Sequence, residues 1–374
     1  MKVALVYDRV NKWGGAERVL LALHKIFPDA PLYTSVYNKK TAKWAEVFDV
    51  KTSFLQSFPF AKSFHELYAL LMPIAFETFN FDEYDLVISV TSEAAKGIIT
   101  KPKTLHICYC LTPTRYLWSG YEDYFKNPIL RFFSKPAVSY LRSWDKIACQ
   151  RPDKYITISQ EVQKRIRKYY KKESDVIYPP ATLSLARRAG PPLQIEINNQ
   201  KSIINNQNTE FFLIVSRLVY YKRIDIAVKA FNKLNLPLKI VGTGNEEEKL
   251  KKIAKSNIEF LGNLTDEKLS YYYKNCKALI FPGFEDFGLV MVEAQSFGKP
   301  VIAFKGGGAL DIVREGISGE FFESQTSESL IKAFEKFNSK SYNSNLCKEN
   351  SLRFSFENFK KQLLEVINKN INKI

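Results

Sequence analysis

Two glutamates, Glu285 and Glu293, stand eight positions apart around a predicted helix start. An apolar run ends at position 281, a Pro-Gly turn follows, and a helix is predicted from about residue 288 to residue 297, where glycine and proline end it. Glu285 then lies in the loop before the helix and Glu293 one to two turns inside it. One carboxylate could bind the hydroxyls of a sugar and the other a ribose diol. The sequence equally allows Glu285 and Asp286 to do no more than cap the helix.

The start of the same helix could bind phosphate. The first backbone N–H groups of a helix have no partner inside it, and the helix dipole favours an anion there. In this sequence those groups belong to Phe287, Gly288 and Leu289. They would point into the same cleft as the two glutamates, so the phosphates of a nucleotide sugar could lie between the carboxylates.

Two cations, Arg217 and Lys222, follow directly after another buried strand candidate, residues 211–215. In open α/β sheets, ligands bind at the carboxyl ends of the strands. Arg217 could bind a diphosphate through two hydrogen bonds, and Lys222 could add a point charge. An ordinary solvated basic loop is the alternative.

Two glycine loops complete the set of candidates. Gly14 and Gly15 follow the first strand and would let the backbone approach an anion, although a plain tight turn explains them equally well. Gly242 opens a Gly-Thr-Gly sequence after a later strand, but Glu247 stands where the dinucleotide fingerprint needs its last glycine. The sequence therefore argues against a nicotinamide enzyme.

These loops need a scaffold of buried strands separated by helices. Nine short apolar runs are strand candidates, and helical spacing follows several of them. Such strands form parallel sheets that are covered on both faces. We therefore predict an α/β protein with two doubly wound domains. The strand candidates are residues 3–7, 86–90, 105–109, 155–159, 211–215, 238–241, 258–261, 278–281 and 301–304.

A chain of 374 residues has room for two domains of ordinary size. Prolines and an Asn/Gln-rich stretch separate the two series of strands, so we predict domains at residues 1–185 and 210–353 with a linker or loop at residues 186–209. Residues 354–374 form an amphipathic helix that could cover either domain.

Composition excludes several classes of protein. The 45% of hydrophobic residues argues against disorder, and a total of 5 cysteines argues against a disulfide scaffold. Cys108 and Cys110 have no second pair at zinc-ligand spacing, so we expect buried thiols and no metal site. Apolar stretches are too short to span a bilayer, and the N-terminus has the pattern of a strand, so we expect a cytoplasmic protein.

The net charge of +16 indicates either a negatively charged partner or a bias in amino-acid composition. Nucleic acid, an anionic membrane and phosphorylated substrates are candidate partners, and drift toward lysine in an AT-rich genome is the alternative. Nucleic acid fits least, because no motif of a nucleic-acid-binding fold accompanies the charge. Three segments mix basic and apolar residues as interfacial helices do, although ordinary covering helices look the same. They are residues 54–79, 125–144 and 160–172.

Taken in order, the motifs resemble those of the retaining glycosyltransferases of the GT4 (group 1) family. Within that family, the chain resembles the mannosyltransferase-like branch of bacterial surface-polysaccharide enzymes. Each motif is modest alone, but their order and spacing match over nearly the whole chain. The matching segments are residues 14–18, 109–118, 176–180, 216–223, 285–293 and 306–308.

The resemblance implies a GT-B fold, in which two Rossmann-like domains face each other across a cleft and the C-terminal helix returns to the N-terminal domain. It implies that Arg217 and Lys222 stabilise the leaving diphosphate, that Glu285 binds the donor sugar and that Glu293 binds the ribose. The backbone at residues 287–289 would meet phosphate and sugar.

The implied activity is that of a retaining, metal-independent hexosyltransferase that needs no cofactor, because the nucleotide sugar is its donor substrate. We expect mannose from GDP-mannose as the donor and a lipid-linked or oligosaccharide acceptor in surface-polysaccharide synthesis. The expected partners include an anionic membrane, contacted peripherally on the inner face of the cytoplasmic membrane, and exclude nucleic acid. We make no prediction of the oligomeric state.

Two positions depart from the family pattern, and the milder departure is Asp311, where the family more often has glutamate. Leu111 stands in the middle motif where the family usually has a histidine, and leucine cannot hydrogen-bond the donor sugar or the reacting centre. His106 is the nearest histidine, but it lies inside a predicted strand. Leu111 is therefore compatible with an alternative function, that of a non-catalytic nucleotide-sugar-binding or scaffolding protein with the same fold.

Overall fold

A computed structural model of the chain describes residues 1–181 and 210–371. It contains two compact units, of which the first comprises Met1–Pro180 and Phe356–Ile374 and the second Ala181–Ser355. The first unit ends before the predicted boundary at residue 185, because the Ala181 N–H donates a hydrogen bond to a carbonyl of the second unit. The predicted linker, residues 186–209, lies outside the described residues.

The first unit is built on a seven-stranded parallel sheet. Its strands are β1 (Val3–Tyr7), β2 (Leu32–Thr34), β3 (Val50–Thr52), β4 (Leu86–Thr91), β5 (Leu105–Cys110), β6 (Lys154–Thr157) and β7 (Asp175–Val176). Their order across the sheet is β3-β2-β1-β4-β5-β6-β7. Every residue of β4 and β5 is buried, as central strands covered on both faces require. The order reverses between β1 and β4, where a doubly wound sheet has its binding crevice.

Five helices of the first unit precede the second unit in the chain. They are α1 (Gly15–Ile26), α2 (Met72–Glu77), α3 (Tyr121–Tyr124), α4 (Pro128–Ala148) and α5 (Gln160–Tyr170). The apolar stripe of α5, which comprises Val162, Ile166 and Tyr170, is buried. The helix predicted at residues 160–172 is therefore an ordinary covering helix.

The second unit has a six-stranded parallel sheet. Its strands are β8 (Phe211–Val215), β9 (Leu238–Val241), β10 (Ile258–Gly262), β11 (Cys276–Phe281), β12 (Val301–Phe304) and β13 (Gly319–Phe322). The order is β10-β9-β8-β11-β12-β13, with its reversal between β8 and β11. The core of this unit includes Phe212, Phe231 and Phe334, whose rings contact one another. The nine predicted strands are confirmed in the two sheets, with bounds that differ by at most two residues.

The remaining helices belong to the second unit, except the last, which belongs to the first unit. They are α6 (Ile224–Leu234), α7 (Glu247–Ile253), α8 (Asp266–Asn275), α9 (Leu289–Ser296), α10 (Ala309–Ile312), α11 (Ser327–Asn338), α12 (Ser344–Leu352) and α13 (Phe356–Ile371). The Phe359 ring of α13 is buried, 6.0 Å from the ring centroid of Tyr109 on β5. Within residues 1–181 and 210–371, no helix is both long and apolar enough to cross a membrane.

Candidate active site

The loops after β8 and β11 leave neighbouring strands at the same edge of the sheet, where the strand order reverses. Residues 216–223 form the first loop, and residues 282–288 form the second and lead into α9. Both loops follow the carboxyl end of a buried strand, as the sequence predicts. Three candidate residues, Arg217, Lys222 and Glu285, therefore come together at this edge.

Lys222 and Glu285 form a salt bridge between Nζ and Oε1. Only 11% of the Lys222 side chain and 24% of the Glu285 side chain are exposed, so water screens this pair less than it screens a surface pair. The Lys222 ammonium also lies 5.3 Å from the ring centroid of Tyr221. The site thus holds a fixed cation that can meet a phosphate, beside a carboxylate that can accept hydrogen bonds from hydroxyl groups.

Arg217 is exposed and reaches the same cluster through Tyr221. Its Nη2 donates a hydrogen bond to Tyr221 Oη, and its guanidinium carbon lies 6.0 Å from the ring centroid. Tyr221 therefore contacts both cations and holds them on one side of the loop. Sequence reasoning missed this tyrosine, because an aromatic residue inside a basic loop has no distinguishing signal of its own.

The loop before α9 is held by the backbone. Helix α9 begins at Leu289, one residue later than predicted, and Gly288 precedes it with a φ of +99°, a conformation that favours glycine. The Gly308 N–H donates to the Glu285 carbonyl over 2.8 Å, which ties the loop to the glycine-rich segment after β12. Within the described ranges, no side chain caps the start of α9. Phosphate binding by the amides of Phe287, Gly288 and Leu289 stays a prediction.

Glu293 lies deeper than the other candidates. It is 1% exposed, and its Oε2 accepts a hydrogen bond of 2.8 Å from Tyr273 Oη on α8. The Tyr273 ring is itself buried and stacks on Phe297. The carboxylate is thus held in a fixed position by a neighbouring helix, and its binding of ribose stays a prediction.

Gly242 lets two loops of the site approach each other. Its φ is +123°, and a Cβ at this position would lie 1.9 Å from the Ser216 carbonyl oxygen. The Ser216 N–H in turn donates to Val241, so the loop after β9 runs directly against the loop that carries Arg217. Gly242 therefore has a packing role in this structure, and its contact with a ligand stays a prediction.

In the first unit, Gly14 and Gly15 stand at the start of α1. The buried carboxylate of Glu17 occupies the first turn of this helix and accepts a hydrogen bond of 2.8 Å from Tyr7 Oη. Burial raises the pKa of Glu17. An anion bound at this glycine loop would have to lie beside that carboxyl group, and such binding stays a prediction.

A group of charged residues that the sequence did not reveal lies at the reversal point of the first sheet. Asp8 follows β1 and accepts hydrogen bonds from Thr91 Oγ1 and from the backbone N–H groups of Ser92 and Ala95. Next to it, Arg9 Nη1 donates to Glu93 Oε1 over 2.6 Å. Burial raises the pKa of Glu93, although Arg9 opposes the shift. The position of Asp8 and Arg9 directly after a buried strand is a signal that could have found them.

The middle motif, residues 109–118, is held by a buried ion pair. Lys96 Nζ lies 2.5 Å from Asp145 Oδ1, and Asp145 Oδ2 accepts a hydrogen bond of 2.7 Å from Trp118 Nε1. Thr114 Oγ1 also donates to Asp145 and accepts from Lys96, each over 3.4 Å. The pair thus fixes two side chains of this motif.

The five cysteines are buried thiols, and burial raises the pKa of Cys110, Cys149, Cys276 and Cys347. In the part of the chain that the structure describes, no three His, Cys, Asp or Glu residues are grouped so that they could hold a metal ion. The expectation of a metal-independent reaction stays a prediction.

Part of the chain matches a known family of proteins. Residues 196–353, which include every strand of the second unit, match the family model described as glycosyl transferases group 1. This match covers less than half of the chain, and in that part the chain is similar to the group 1 glycosyltransferases. The match contains the candidate residues Arg217, Lys222, Glu285 and Glu293.

Several curated glycosyltransferases are similar to parts of the chain. A glycosyltransferase of Methanocaldococcus jannaschii is 28% identical and aligns over 58% of this chain and 59% of its own. O-antigen chain mannosyltransferase C of Escherichia coli is 32% identical over 38% of this chain and 41% of its own. The GDP-mannose-dependent alpha-mannosyltransferase of Corynebacterium glutamicum is 33% identical over 28% of this chain and 25% of its own. The chain thus spans less than two thirds of each of these relatives.

Solved structures share the fold of the chain. The Anabaena protein HepE in complex with UDP has a TM-score of 0.67 at 20% identity, over 99% of this chain and 100% of its own. Together with the two parallel sheets, this likeness confirms the predicted GT-B fold with two Rossmann-like domains.

Leu111 directly follows the end of β5. Its N–H donates to the Thr91 carbonyl over 2.8 Å, so the backbone continues the pairing of β4 and β5 while the side chain is half-buried. His106 is fully buried inside the sheet, where its Nε2 lies 2.8 Å from Ser89 Oγ. His106 therefore cannot reach the place of the missing histidine.

Proposed function

We propose that the protein is a retaining hexosyltransferase that transfers mannose from GDP-mannose to a lipid-linked or oligosaccharide acceptor in surface-polysaccharide synthesis. The observation that carries this proposal is the cluster of Arg217, Lys222 and Glu285 at the carboxyl ends of β8 and β11. Two cations and a carboxylate within one cluster suit a ligand that joins a diphosphate to a polyol.

The choice of donor is supported by the relatives. Two of them carry a mannosyltransferase name, and one is described as dependent on GDP-mannose. The complex of HepE with UDP supports a nucleotide-linked donor in general. A lipid-linked acceptor in surface-polysaccharide synthesis is supported by the relative named for O-antigen chains.

In the proposed reaction, the bond between the anomeric carbon and the diphosphate oxygen breaks, and its electron pair leaves with the diphosphate. Arg217 and Lys222 would stabilise the negative charge that develops there. The acceptor hydroxyl oxygen forms a bond to the same carbon on the same face, and its proton passes to the departing phosphate oxygen. Glu285 would accept hydrogen bonds from the hydroxyls of the hexose and hold its ring in place.

A donor panel tests the proposal. Nucleotide release from GDP-mannose, GDP-fucose, UDP-glucose and UDP-galactose is measured with and without lipid-linked oligosaccharide. We expect release from GDP-mannose that increases with acceptor and that Glu285→Ala sharply reduces. If no nucleotide sugar in the panel is transferred or hydrolysed, the proposed activity is wrong.

A non-catalytic nucleotide-sugar-binding or scaffolding protein is the second candidate, and the observation that favours it is Leu111. In that case the chain binds a nucleotide sugar without turnover. Calorimetric titration with GDP-mannose together with the release assay separates the two functions. Activity that appears only in Leu111→His would favour the second function for the natural chain, whereas turnover by the natural chain excludes it.

A further inference from the structure

We infer that α4 and the neighbouring residues 54–74 together form a docking surface for an anionic phospholipid bilayer. This docking surface belongs to the first unit, whereas the candidate donor-binding residues Arg217, Lys222 and Glu285 belong to the second. The inference goes beyond the proposed function, because contact with lipid at this surface requires neither donor nor acceptor.

Helix α4 has three distinct faces. An α-helix repeats every 3.6 residues, so positions separated by four or seven residues share a face. One face is buried and carries Val138, Leu141 and Asp145. A second face is apolar yet open to solvent, with side chains that are between 48% and 74% exposed. It consists of Ile129, Phe133, Tyr140 and Ile147.

The third face of α4 is basic. The only acidic residue of the helix is Asp145, which is fully buried and paired with Lys96, so the helix presents only positive charge to solvent. Two of the cations lie near aromatic rings: Lys135 is 5.9 Å from the ring centroid of Phe132, and Arg142 is 4.6 Å from that of Tyr121. The basic face consists of Arg131, Lys135, Arg142 and Lys146.

Residues 54–74 add a second set of exposed apolar side chains. This segment contains one acidic residue, Glu66, and one basic residue, Lys62. Burial and the nearby Arg9 lower the pKa of His65 to about 3, so this residue adds no charge at neutral pH. The exposed apolar side chains are Phe54, Phe58, Phe60, Phe64, Leu67, Leu70 and Ile74.

The two elements lie side by side. Ala69 packs against the cluster formed by Leu117, Val138 and Leu141. Further along, Trp144 Nε1 of α4 donates a hydrogen bond of 2.7 Å to Glu77 Oε1 of α2, which follows the segment directly. The two elements that carry the exposed apolar side chains are therefore neighbours in the first unit.

The chemistry of this surface matches anionic lipid. Single exposed apolar side chains are common, whereas a concentration of them on two neighbouring elements points to an interaction site. Aromatic and aliphatic side chains beside a row of cations are suited to a bilayer interface, where the rings enter the headgroup region and the cations meet lipid phosphates. Helix α5 provides the contrast, because it is equally basic but buries its apolar stripe.

Vesicle co-sedimentation tests the inference. The full chain is mixed with vesicles of phosphatidylcholine alone or with phosphatidylcholine that contains phosphatidylglycerol, at low and high salt. We expect binding to the anionic vesicles that salt weakens. Leu67→Ser and Phe133→Ser should each lower the partition coefficient about tenfold, because each removes one inserted apolar side chain. Lys135→Glu should lower binding to anionic vesicles as well.

Matched controls isolate the surface. Leu352→Ser replaces an exposed leucine of the second unit, and Lys164→Glu reverses an exposed charge on α5, so neither should change vesicle binding. The inference is wrong if the natural chain does not bind anionic vesicles, or if Leu67→Ser and Phe133→Ser bind as well as Leu352→Ser. It is also wrong if the chain forms a dimer in solution that Leu67→Ser and Phe133→Ser dissociate, because a second copy then covers the surface.

The same variants separate this inference from the proposed function. With a water-soluble oligosaccharide acceptor, Leu67→Ser and Phe133→Ser should release nucleotide from GDP-mannose at the natural rate. Conversely, Glu285→Ala should bind anionic vesicles like the natural chain. Vesicle binding without any nucleotide release would support the docking surface and contradict the proposed transferase.

Discussion

Lys222 forms a salt bridge with Glu285, and both side chains are more than three-quarters buried. The carboxylate of Glu285 is therefore already paired with the ammonium of Lys222 before any ligand binds. An incoming diphosphate would have to share Lys222 with Glu285, while the sugar that it carries would offer hydroxyl groups to Glu285. This pair thus links the binding of phosphate to the binding of sugar.

Substitution of the two partners should have opposite effects on nucleotide affinity. Lys222→Met removes a charged donor to phosphate, so we expect GDP to bind about 10- to 100-fold more weakly. Glu285→Gln removes a competing negative charge, so GDP should bind at least as tightly as before. Turnover of GDP-mannose should nevertheless fall about 100- to 1000-fold in Glu285→Gln, because the sugar loses a charged acceptor. Calorimetry and nucleotide release measure the two quantities.

An exposed pair in the same unit serves as the control. Lys305 and Glu323 form a salt bridge of 2.6 Å, with side chains that are 40% and 67% exposed. Glu323→Gln should change neither GDP affinity nor turnover. Equal weakening of GDP binding in Lys222→Met and Glu285→Gln would contradict the competition between Glu285 and phosphate.

Gly242→Ala should disrupt the second unit. The added Cβ would lie 1.9 Å from the Ser216 carbonyl oxygen, and a φ of +123° is unfavourable for alanine. We expect a loss of several kcal/mol in the free energy of unfolding, well above the roughly 1–2 kcal/mol of a left-handed residue alone. Gly262→Ala is the matched control, because its φ is +63° and its Cβ would meet nothing within 4 Å. Similar losses in the two variants, measured by urea unfolding, would show that the contact with Ser216 is unimportant.

The sequence predicted the central strands well because they are apolar and bounded by turns. The strands that it did not reveal lie away from the sheet centres. β2 and β3 have three residues each, which is too short for a hydrophobic pattern to stand out. β13 begins with a glycine and contains Glu320, which is buried but paired with Lys336 and Lys340. Ion pairs with residues distant in sequence thus allow a charged residue to lie in a buried strand, which the residues of the strand alone do not predict.

The sequence predicted those candidate residues of the site that lie in a loop directly after a predicted strand. Arg217, Lys222 and Glu285 were found in this way, and the structure brings them together. Tyr221 and Tyr273 were not found: Tyr221 contacts Arg217 within its own loop, and Tyr273 contacts Glu293 on another helix. Both contacts depend on how the side chains pack, and one sequence alone does not report packing.

Acidification should destabilise the first unit through His106. Burial, with a further contribution from Arg151, lowers the pKa of this fully buried ring to about 3. The unfolded chain therefore binds a proton near its ordinary pKa of about 6.5 while the folded chain does not, so stability is lost as the pH falls below that value. For one histidine we expect a loss of about 1 kcal/mol between about pH 6.5 and pH 5.5.

Urea unfolding at several pH values measures this loss. His106→Gln should flatten the pH dependence, because glutamine does not titrate. His24→Gln is the control: burial also lowers the pKa of His24, but its ring is only partly buried, so its removal should change the slope less. An unchanged slope in His106→Gln would mean that this ring already carries a proton in the folded state.

Removal of one partner from the buried pair of Lys96 and Asp145 should destabilise the protein far more than removal of one partner from a surface pair. The side chains are 2% and 0% exposed, and Asp145→Asn would leave the Lys96 ammonium buried beside a neutral group. We expect a loss of about 3–5 kcal/mol in the free energy of unfolding. Lys101 and Asp82 form a pair of 2.7 Å that is about half exposed, so Asp82→Asn should cost at most about 1 kcal/mol. If the two variants unfold at the same urea concentration, Lys96 must have lost its proton or reached water, and Trp118 would then be held by packing alone.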